Sequence, residues 1–286
     1  MSITEPRVFD CFTFYNEFDL LELRIKELWD VVDFFVIAEA NITHQNRPKS
    51  FYLKDNWAQF EKYASKIRHI MIEDMPNDPD TWVNERFQRT CLARGLYDLT
   101  PTDIVITSDC DEIPRSEIIN EIKYDKNDYD RYMLSIPIFM FKINYLMTIP
   151  TVMHNNIAVT RGRVYQNPQY EREYLFPWTH KSSSANIVTI KHSGWHFTYF
   201  GKTEFAINKI QNFAHAETNI PKIIDKLNVD KMIEHKVGIA WEEAIDRFEY
   251  VKIDEYFPTT VLNDLNKYKD MIIPDAVASV YNFYPE

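Results

Sequence analysis

Three carboxylates fall within four residues in Asp109-Cys110-Asp111-Glu112, two residues after the apolar run Ile104-Val105-Ile106. That run predicts a buried strand ending in acids, and Pro114 just beyond suits the first turn of a helix. Open α/β sheets bind ligands at the carboxyl ends of their strands. An Asp-x-Asp placed there offers hard oxygen ligands to a divalent cation, and the cation in turn holds a diphosphate. Acids this close repel one another, and a bound cation relieves the repulsion. The plainer alternative is an acid-rich strand-to-helix turn that complements a helix N-terminus.

Other strings fall on the same predicted rim. Asn16 and Glu17 follow the strand-like Phe9-Asp10-Cys11-Phe12-Thr13-Phe14, either to meet a ligand or to cap the next helix. Glu39-Ala40-Asn41-Ile42-Thr43-His44 closes a second strand, where an acid suits a ribose hydroxyl; the alternative is a polar loop. Arg89 is spaced for an i,i+4 pair with Glu85, or for an oxyanion. Ser193-Gly194-Trp195-His196-Phe197 sets one imidazole among aromatics, a packed core histidine or a metal ligand. Phe213-Ala214-His215-Ala216-Glu217 adds another histidine and acid at a helix end.

The elements that must position these residues alternate at first. Strands are expected at Arg7–Phe14, Asp33–Ala38, Ile67–Ile72 and from Ile104, with helices at Phe18–Trp29, Asn56–Ala64 and Trp82–Leu99. Strand–helix alternation predicts a parallel, Rossmann-like sheet. Beyond it, strand-like runs Arg131–Phe141, Asn155–Val164, Ile187–Lys191 and Trp195–Tyr199 predict a mixed extension. Helices follow at Thr203–Glu217, Ile220–Glu234 and Trp241–Phe248, and Asn167–Asn186 reads as the least ordered stretch. The expected architecture is an α/β core over residues 1–200, with a mainly helical part, 201–286, packed on the same domain.

With 286 residues, 45% hydrophobic, the chain has ample apolar material for a large core. Its net charge of −11 disfavours nucleic acid and anionic lipid as partners. There is no apolar run of about 18 residues to cross a membrane. Met1-Ser2-Ile3-Thr4-Glu5-Pro6-Arg7 lacks a signal-peptide pattern, so a cytoplasmic protein is expected. Cys11, Cys91 and Cys110 read as reduced, buried thiols. Among only five glycines there is no phosphate-binding loop, so metal and side chains must hold any diphosphate.

Taken in order over roughly residues 7 to 220, several of these strings resemble glycosyltransferase family 17. They are Phe9–Phe12 through Asn16–Arg24, Glu39–Thr43, Gln88-Arg89, Ser108–Pro114, Gly194–Phe197 and Phe213–Glu217. The family's best-known member adds the bisecting β-1,4-linked N-acetylglucosamine to the core mannose of N-glycans. The resemblance implies a GT-A-like mixed sheet flanked by helices, a UDP-sugar donor (UDP-GlcNAc in characterised members), Mn²⁺ or Mg²⁺, and inversion at the anomeric carbon. Asp111, helped by Asp109, would hold the metal, with His196 as a further ligand. Arg89 would hold the donor, and Asn16, Glu17 and Glu39 would line the nucleotide. Glu204 and Glu217 are the candidate bases, with Glu112 a third. Trp195, Trp178 and Trp241 are candidate sugar platforms or core aromatics. Animal members are anchored in the Golgi, a feature not seen here, so a bacterial or viral enzyme building a surface glycan or glycolipid is expected. Two other readings stand beside this one: a different metal-dependent nucleotide enzyme, such as a nucleotidyltransferase or phosphatase, and a degenerate binding protein without turnover.

Overall fold

The computed structural model of the chain describes residues 5–148, 155–174, 186–239, 248–274 and 279. Strand β1 (Val8–Thr13) leads into helix α1 (Phe18–Leu28) and back into β2 (Phe34–Ala40). The next helix, α2, is a single turn at Tyr52–Asp55, followed by two 3₁₀ turns, in place of the helix expected over Asn56–Ala64. The Asn56 side chain donates back to the Tyr52 carbonyl, which competes with helix continuation. Beyond β3 (Ile67–Ile72), helix α3 (Thr81–Thr90) is capped by Asp80. It tightens to 3₁₀ over Cys91–Gly95 and ends short of Leu99. Gly95 lies against β2: an added Cβ would stand 2.4 Å from Val36 Cγ1. Strand β4 (Ile104–Asp109) then carries the chain to the acids.

These four strands are parallel, with β1 between β2 and β4 and with β3 outside β2. Successive residues of β1 serve opposite faces. Val8 and Phe12 join the cluster that includes Leu21, Ile25 and Leu28 of α1; Phe9 and Cys11 join the one with Cys91 and Leu92. Burial on both faces explains the continuous apolar runs of this half of the sequence.

After β4 the chain builds two sheets at once. In order come β5 (Glu112–Pro114), α4 (Ser116–Lys123), β6 (Arg131–Ile136), β7 (Ile138–Met140), β8 (Tyr145–Met147), β9 (Asn155–Arg161), α5 (Pro168–Tyr174), β10 (Ile187–Lys191) and β11 (Gly194–Thr198). Helices α6 (Thr203–Asn212), α7 (Pro221–Ile224) and α8 (Val229–Glu234) follow, then β12 (Phe248–Tyr250), α9 (Thr259–Leu262) and α10 (Leu265–Tyr268). The first sheet has the order β10-β6-β9-β4-β1-β2-β3, with β9 antiparallel to its neighbours; the second runs β12-β8-β7-β11-β5. This is the Rossmann-type mixed sheet flanked by helices.

Three times the chain steps from the first sheet to the second: β4 to β5 through Cys110 and Asp111, β6 to β7 at Pro137, and β10 to β11 through His192 and Ser193. The expected strand Arg131–Phe141 is therefore two. Pro137 has no N–H for a ladder, which suits a break. Pro114 ends β5 instead of opening a helix, because Ile113 is fully buried and β5 pairs with β11. Gly194 allows that approach, since a Cβ there would lie 2.3 Å from the Ile113 carbonyl oxygen.

The later helices are shorter than periodicity suggests. Helix α6 stops at Asn212, and Phe213 is extended. The span Ile220–Glu234 divides into α7 and α8, the second capped by Asn228. Phe248, expected to end a helix, opens β12; residues 241–247 lie outside the described residues, as do Trp178 and 175–185. The start of the stretch read as least ordered is helix α5. Among the described residues no helix is long and apolar enough to cross a membrane.

Two charged side chains, Arg24 and Glu27, interrupt the buried stripe of α1. Arg24 is fully buried, and Nε and Nη2 donate to the two carboxylate oxygens of Asp10 on β1, at 2.8 and 2.6 Å. Replacing Arg24 by Met leaves Asp10 charged and unpaired in the core. Urea unfolding is expected to show a loss of about 3–5 kcal/mol. The Asp10→Asn, Arg24→Met double variant is expected to lose less than the two single losses summed.

Candidate active site

The Asp-x-Asp lies where the chain leaves one sheet for the other. Arg24 fixes this crossing from beneath, donating to the carbonyls of Asp109 (2.8 Å) and Glu112 (2.7 Å) and to Ser108 Oγ (2.7 Å). The three acids then part. Glu112 is buried, and Arg172 of α5 meets both its oxygens at 2.6 and 2.7 Å. Glu112 also accepts the Asp109 N–H at 3.0 Å. Asp109 stays partly open, with its carboxylate between Arg89 of α3 (3.2 Å) and Arg172 (3.4 Å). Arg89 is held in place by Glu85 and by Gln169 (2.9 Å), so the i,i+4 pair and the approach to the acids occur together.

Asp111 faces the opposite way, into a small, partly open cavity lined by Asn16, Glu17, Asp111, Tyr199, Phe205 and Lys209, among others. Its Oδ2 lies 2.6 Å from Lys209 Nζ and 3.5 Å from His196 Nε2. The second distance follows from sheet register. β11 pairs with β5 so that His196 stands opposite Glu112, and the Phe197 N–H donates to the Asp111 carbonyl. The Gly-Trp-His-Phe string thus reaches the acids by strand pairing.

Electrostatics sort these groups. Burial opposes ionisation of Asp111, but Lys209 and His196 outweigh it and hold the carboxyl far below its usual range. Burial likewise opposes ionisation of Asp109, and Arg89 and Arg172 overcome it. Glu17 goes the other way. Burial pushes its carboxyl up and nearby Asp111 adds to this, against the pull of Lys209. Its Oε2 accepts the N–H groups of Tyr15 (3.2 Å) and Asn16 (3.0 Å).

Asp111 and His196 suit a divalent cation. Their donor atoms are 3.5 Å apart, less than twice a metal–ligand bond of about 2.1 Å. Among the described residues no three acidic, histidine or cysteine side chains form a metal cage. An open pair of ligands is nevertheless the usual arrangement for a cation that completes its shell with substrate phosphates. Asp109, engaged by two arginines, is the less available carboxylate.

Other expected site residues lie elsewhere. Glu39 is fully buried and accepts from Lys49 (3.3 Å), His69 (2.9 Å) and the Leu53 N–H (3.2 Å), so it anchors the 49–53 segment in place of facing a ribose. Glu204 is exposed in the first turn of α6. Glu217 is exposed beside His215 (2.6 Å), whose ring meets Trp82. Neither lines the cavity. Trp195 is core, stacked with Phe197 and edge-on to Tyr256. Asn16 and Glu17 do line the cavity. Sequence reasoning gave no role to Arg172, Lys209 or Arg24. Arg24 had a signal, a charge at i+4 from Leu20 and i+3 from Leu21 on an apolar face. Arg172 sat in the stretch read as least ordered, and Lys209 had no motif around it.

A Rossmann-type α/β scaffold with a charged site at the carboxyl ends of its strands is thus in place. The chain belongs to glycosyltransferase family 17, whose sequence model matches residues 1–239. It is similar to the β-1,4-mannosyl-glycoprotein 4-β-N-acetylglucosaminyltransferases of Rattus norvegicus and Homo sapiens. Each is 33% identical over 128 residues, covering 42% of this chain and 24% of the relative. The match therefore spans about a quarter of those proteins. Two solved structures are distant likenesses. A 4-diphosphocytidyl-2C-methyl-D-erythritol synthase has TM-score 0.38 at 11% identity and covers 66% of this chain and 90% of its own. TarS 1–349 of S. aureus has TM-score 0.36 at 11% identity and covers 72% and 63%.

The depressed Asp111 carboxyl gives a pH dependence of fixed sign. Its stabilising share is complete above the ordinary carboxylate value of about 3.9 and is lost as pH falls towards the folded-state value. Urea unfolding from about pH 5 down to pH 1 is expected to lose stability less steeply in Asp111→Asn than in the unaltered protein.

Proposed function

We propose that this chain transfers a sugar, N-acetylglucosamine, from its UDP derivative to a carbohydrate hydroxyl, with a divalent cation and with inversion. Membership of family 17 and the names of the similar relatives support the sugar and the class of reaction. The observation that carries the site is the meeting of Asp111 with His196 and Lys209, where Asp111 and Lys209 line a cavity at the carboxyl ends of β1 and β4.

Asp111 and His196 would hold the cation, which would supply positive charge to the departing diphosphate, a large contribution to such reactions. The chain's own residues do the rest. Arg24 keeps Asp111 in place through the backbone of the crossing. Arg89 and Arg172 keep Asp109 ionised on the other side of the crossing. Glu17 takes the acceptor proton. It lines the cavity, whereas Glu204 and Glu217 are exposed outside it and Glu112 is bound by Arg172 at both oxygens. Burial raises the Glu17 carboxyl towards the working pH, which suits a general base. The acceptor oxygen bonds to the anomeric carbon while the bond from that carbon to the phosphate oxygen breaks. The hydroxyl proton passes to Glu17 and the electron pair leaves with UDP.

The test is a panel of UDP, UDP-GlcNAc, UDP-glucose, GDP and GDP-mannose, with and without Mn²⁺, read by thermal unfolding and then by UDP release with sugar acceptors. UDP compounds at about 100 times their dissociation constant are expected to add about 2.7 kcal/mol, in the presence of Mn²⁺ alone. Asp111→Asn is expected to abolish that gain. Glu17→Gln is expected to keep UDP binding and lose about 10²- to 10⁴-fold in kcat. Stabilisation by no nucleotide overturns the donor site. UDP binding without turnover on any acceptor favours a binding protein.

A further inference from the structure

Lys209 is bonded to the very carboxylate oxygen that a cation would use. Its Nζ lies 2.6 Å from Asp111 Oδ2, the oxygen that faces His196, and 5.3 Å from the centre of the Tyr199 ring. Asp111 is almost wholly buried, so its charge requires a close partner. Helix α6, which carries Lys209, is fastened across the rim at several points. Asn16 Nδ2 donates to Asn208 Oδ1 at 3.2 Å. Gln45 Nε2 donates to the carbonyls of Ile210 (2.9 Å) and Phe213 (3.0 Å), and the Thr81 hydroxyl to that of Ala214. The ammonium is thus presented to Asp111 by a helix tied to the loops that follow β1 and β2.

An ammonium at 2.6 Å and a divalent ion at about 2.1 Å on one carboxylate oxygen compete, because the two cations would stand about 4 Å apart and repel strongly across a nearly buried site. We infer that Lys209 is the internal counter-ion of the donor site: it occupies the cation's place on Asp111 in the free protein and moves to the donor diphosphate when cation and donor enter together. This rests on the donor-site reading above. It follows that the divalent ion alone binds weakly, since it must displace Lys209 with no new anion to receive the ammonium. A cation arriving with a diphosphate meets no such cost, because the phosphate oxygens accept Lys209. Cation and nucleotide therefore bind synergistically, and Lys209 is one source of that coupling.

The test uses Mn²⁺ alone, with free Mn²⁺ followed by electron paramagnetic resonance in titrations of the full chain. Lys209→Met is expected to bind Mn²⁺ about 10- to 100-fold tighter than the unaltered protein. Lys209→Arg keeps the charge and is expected to bind as weakly as the unaltered protein. Asp111→Asn added to Lys209→Met is expected to remove the gain. Lys209→Gln repeats the comparison if far-UV circular dichroism shows that Lys209→Met does not fold. Equal Mn²⁺ affinity with and without the lysine, including no binding by either, overturns the proposal. Failure of the donor-site reading appears separately, as no uptake of UDP by the unaltered protein with Mn²⁺ present.

Discussion

The guanidinium of Arg24 is the interaction on which the rest of the site depends. It lies in the core with no exposure, above the Phe12 ring at 4.3 Å, and satisfies Asp10, Ser108 and the carbonyls of Asp109 and Glu112 together. A charge buried this way is costly to desolvate and tolerable only when its donors are met. Here its partners are the backbone of the step from β4 to β5. Without that step the two aspartates would lie on one strand, pointing to the same face with period two. With it, one carboxylate serves α3 and α5 and the other serves β11 and α6.

That division distributes charge. Arg89, Arg172, Lys209 and His196 come from four different elements, and each meets an acid of the short segment 109–112. Distant parts of the sequence are thereby tied to one place. The acids stay ionised in spite of burial because three cations, Arg89, Arg172 and Lys209, and the His196 ring are already positioned. An anionic ligand entering by itself would compete with carboxylates for these cations. One that brings a divalent ion leaves the balance of charge nearly unchanged.

Much of the first half was legible in the sequence because its signals are local. Runs such as Phe35–Ala38 and Ile104–Ile106 can hardly be anything but buried strands, and the alternation with helices predicts a parallel sheet. The second half was less so, because its strands are short and cross between sheets at single residues. Nothing near Pro137 or Ser193 says which sheet the next strand joins, since pairing partners lie far away in sequence. The same holds at the site. Asp109, Asp111 and His196 announce themselves by type, whereas Lys209 and Arg172 matter only by where α6 and α5 dock. Glu39 shows the converse, an acid at a strand end whose bonds all turn inward.

Cys110 lies between the two aspartates, and this gives the crossing a chemical reporter. Its thiol is buried among apolar side chains, and burial pushes it well above the ordinary thiol range. An alkylating reagent needs both access and thiolate, and the closed crossing supplies neither. Cys11 is buried and shifted in the same way, though it sits mid-strand in β1, where exposure requires the sheet to separate. Two thiols in one chain thus time two different events. Modification at residue 110 ahead of residue 11 marks a loosening of the acid-bearing turn while the sheet stays whole, and simultaneous modification marks an opening of the entire core.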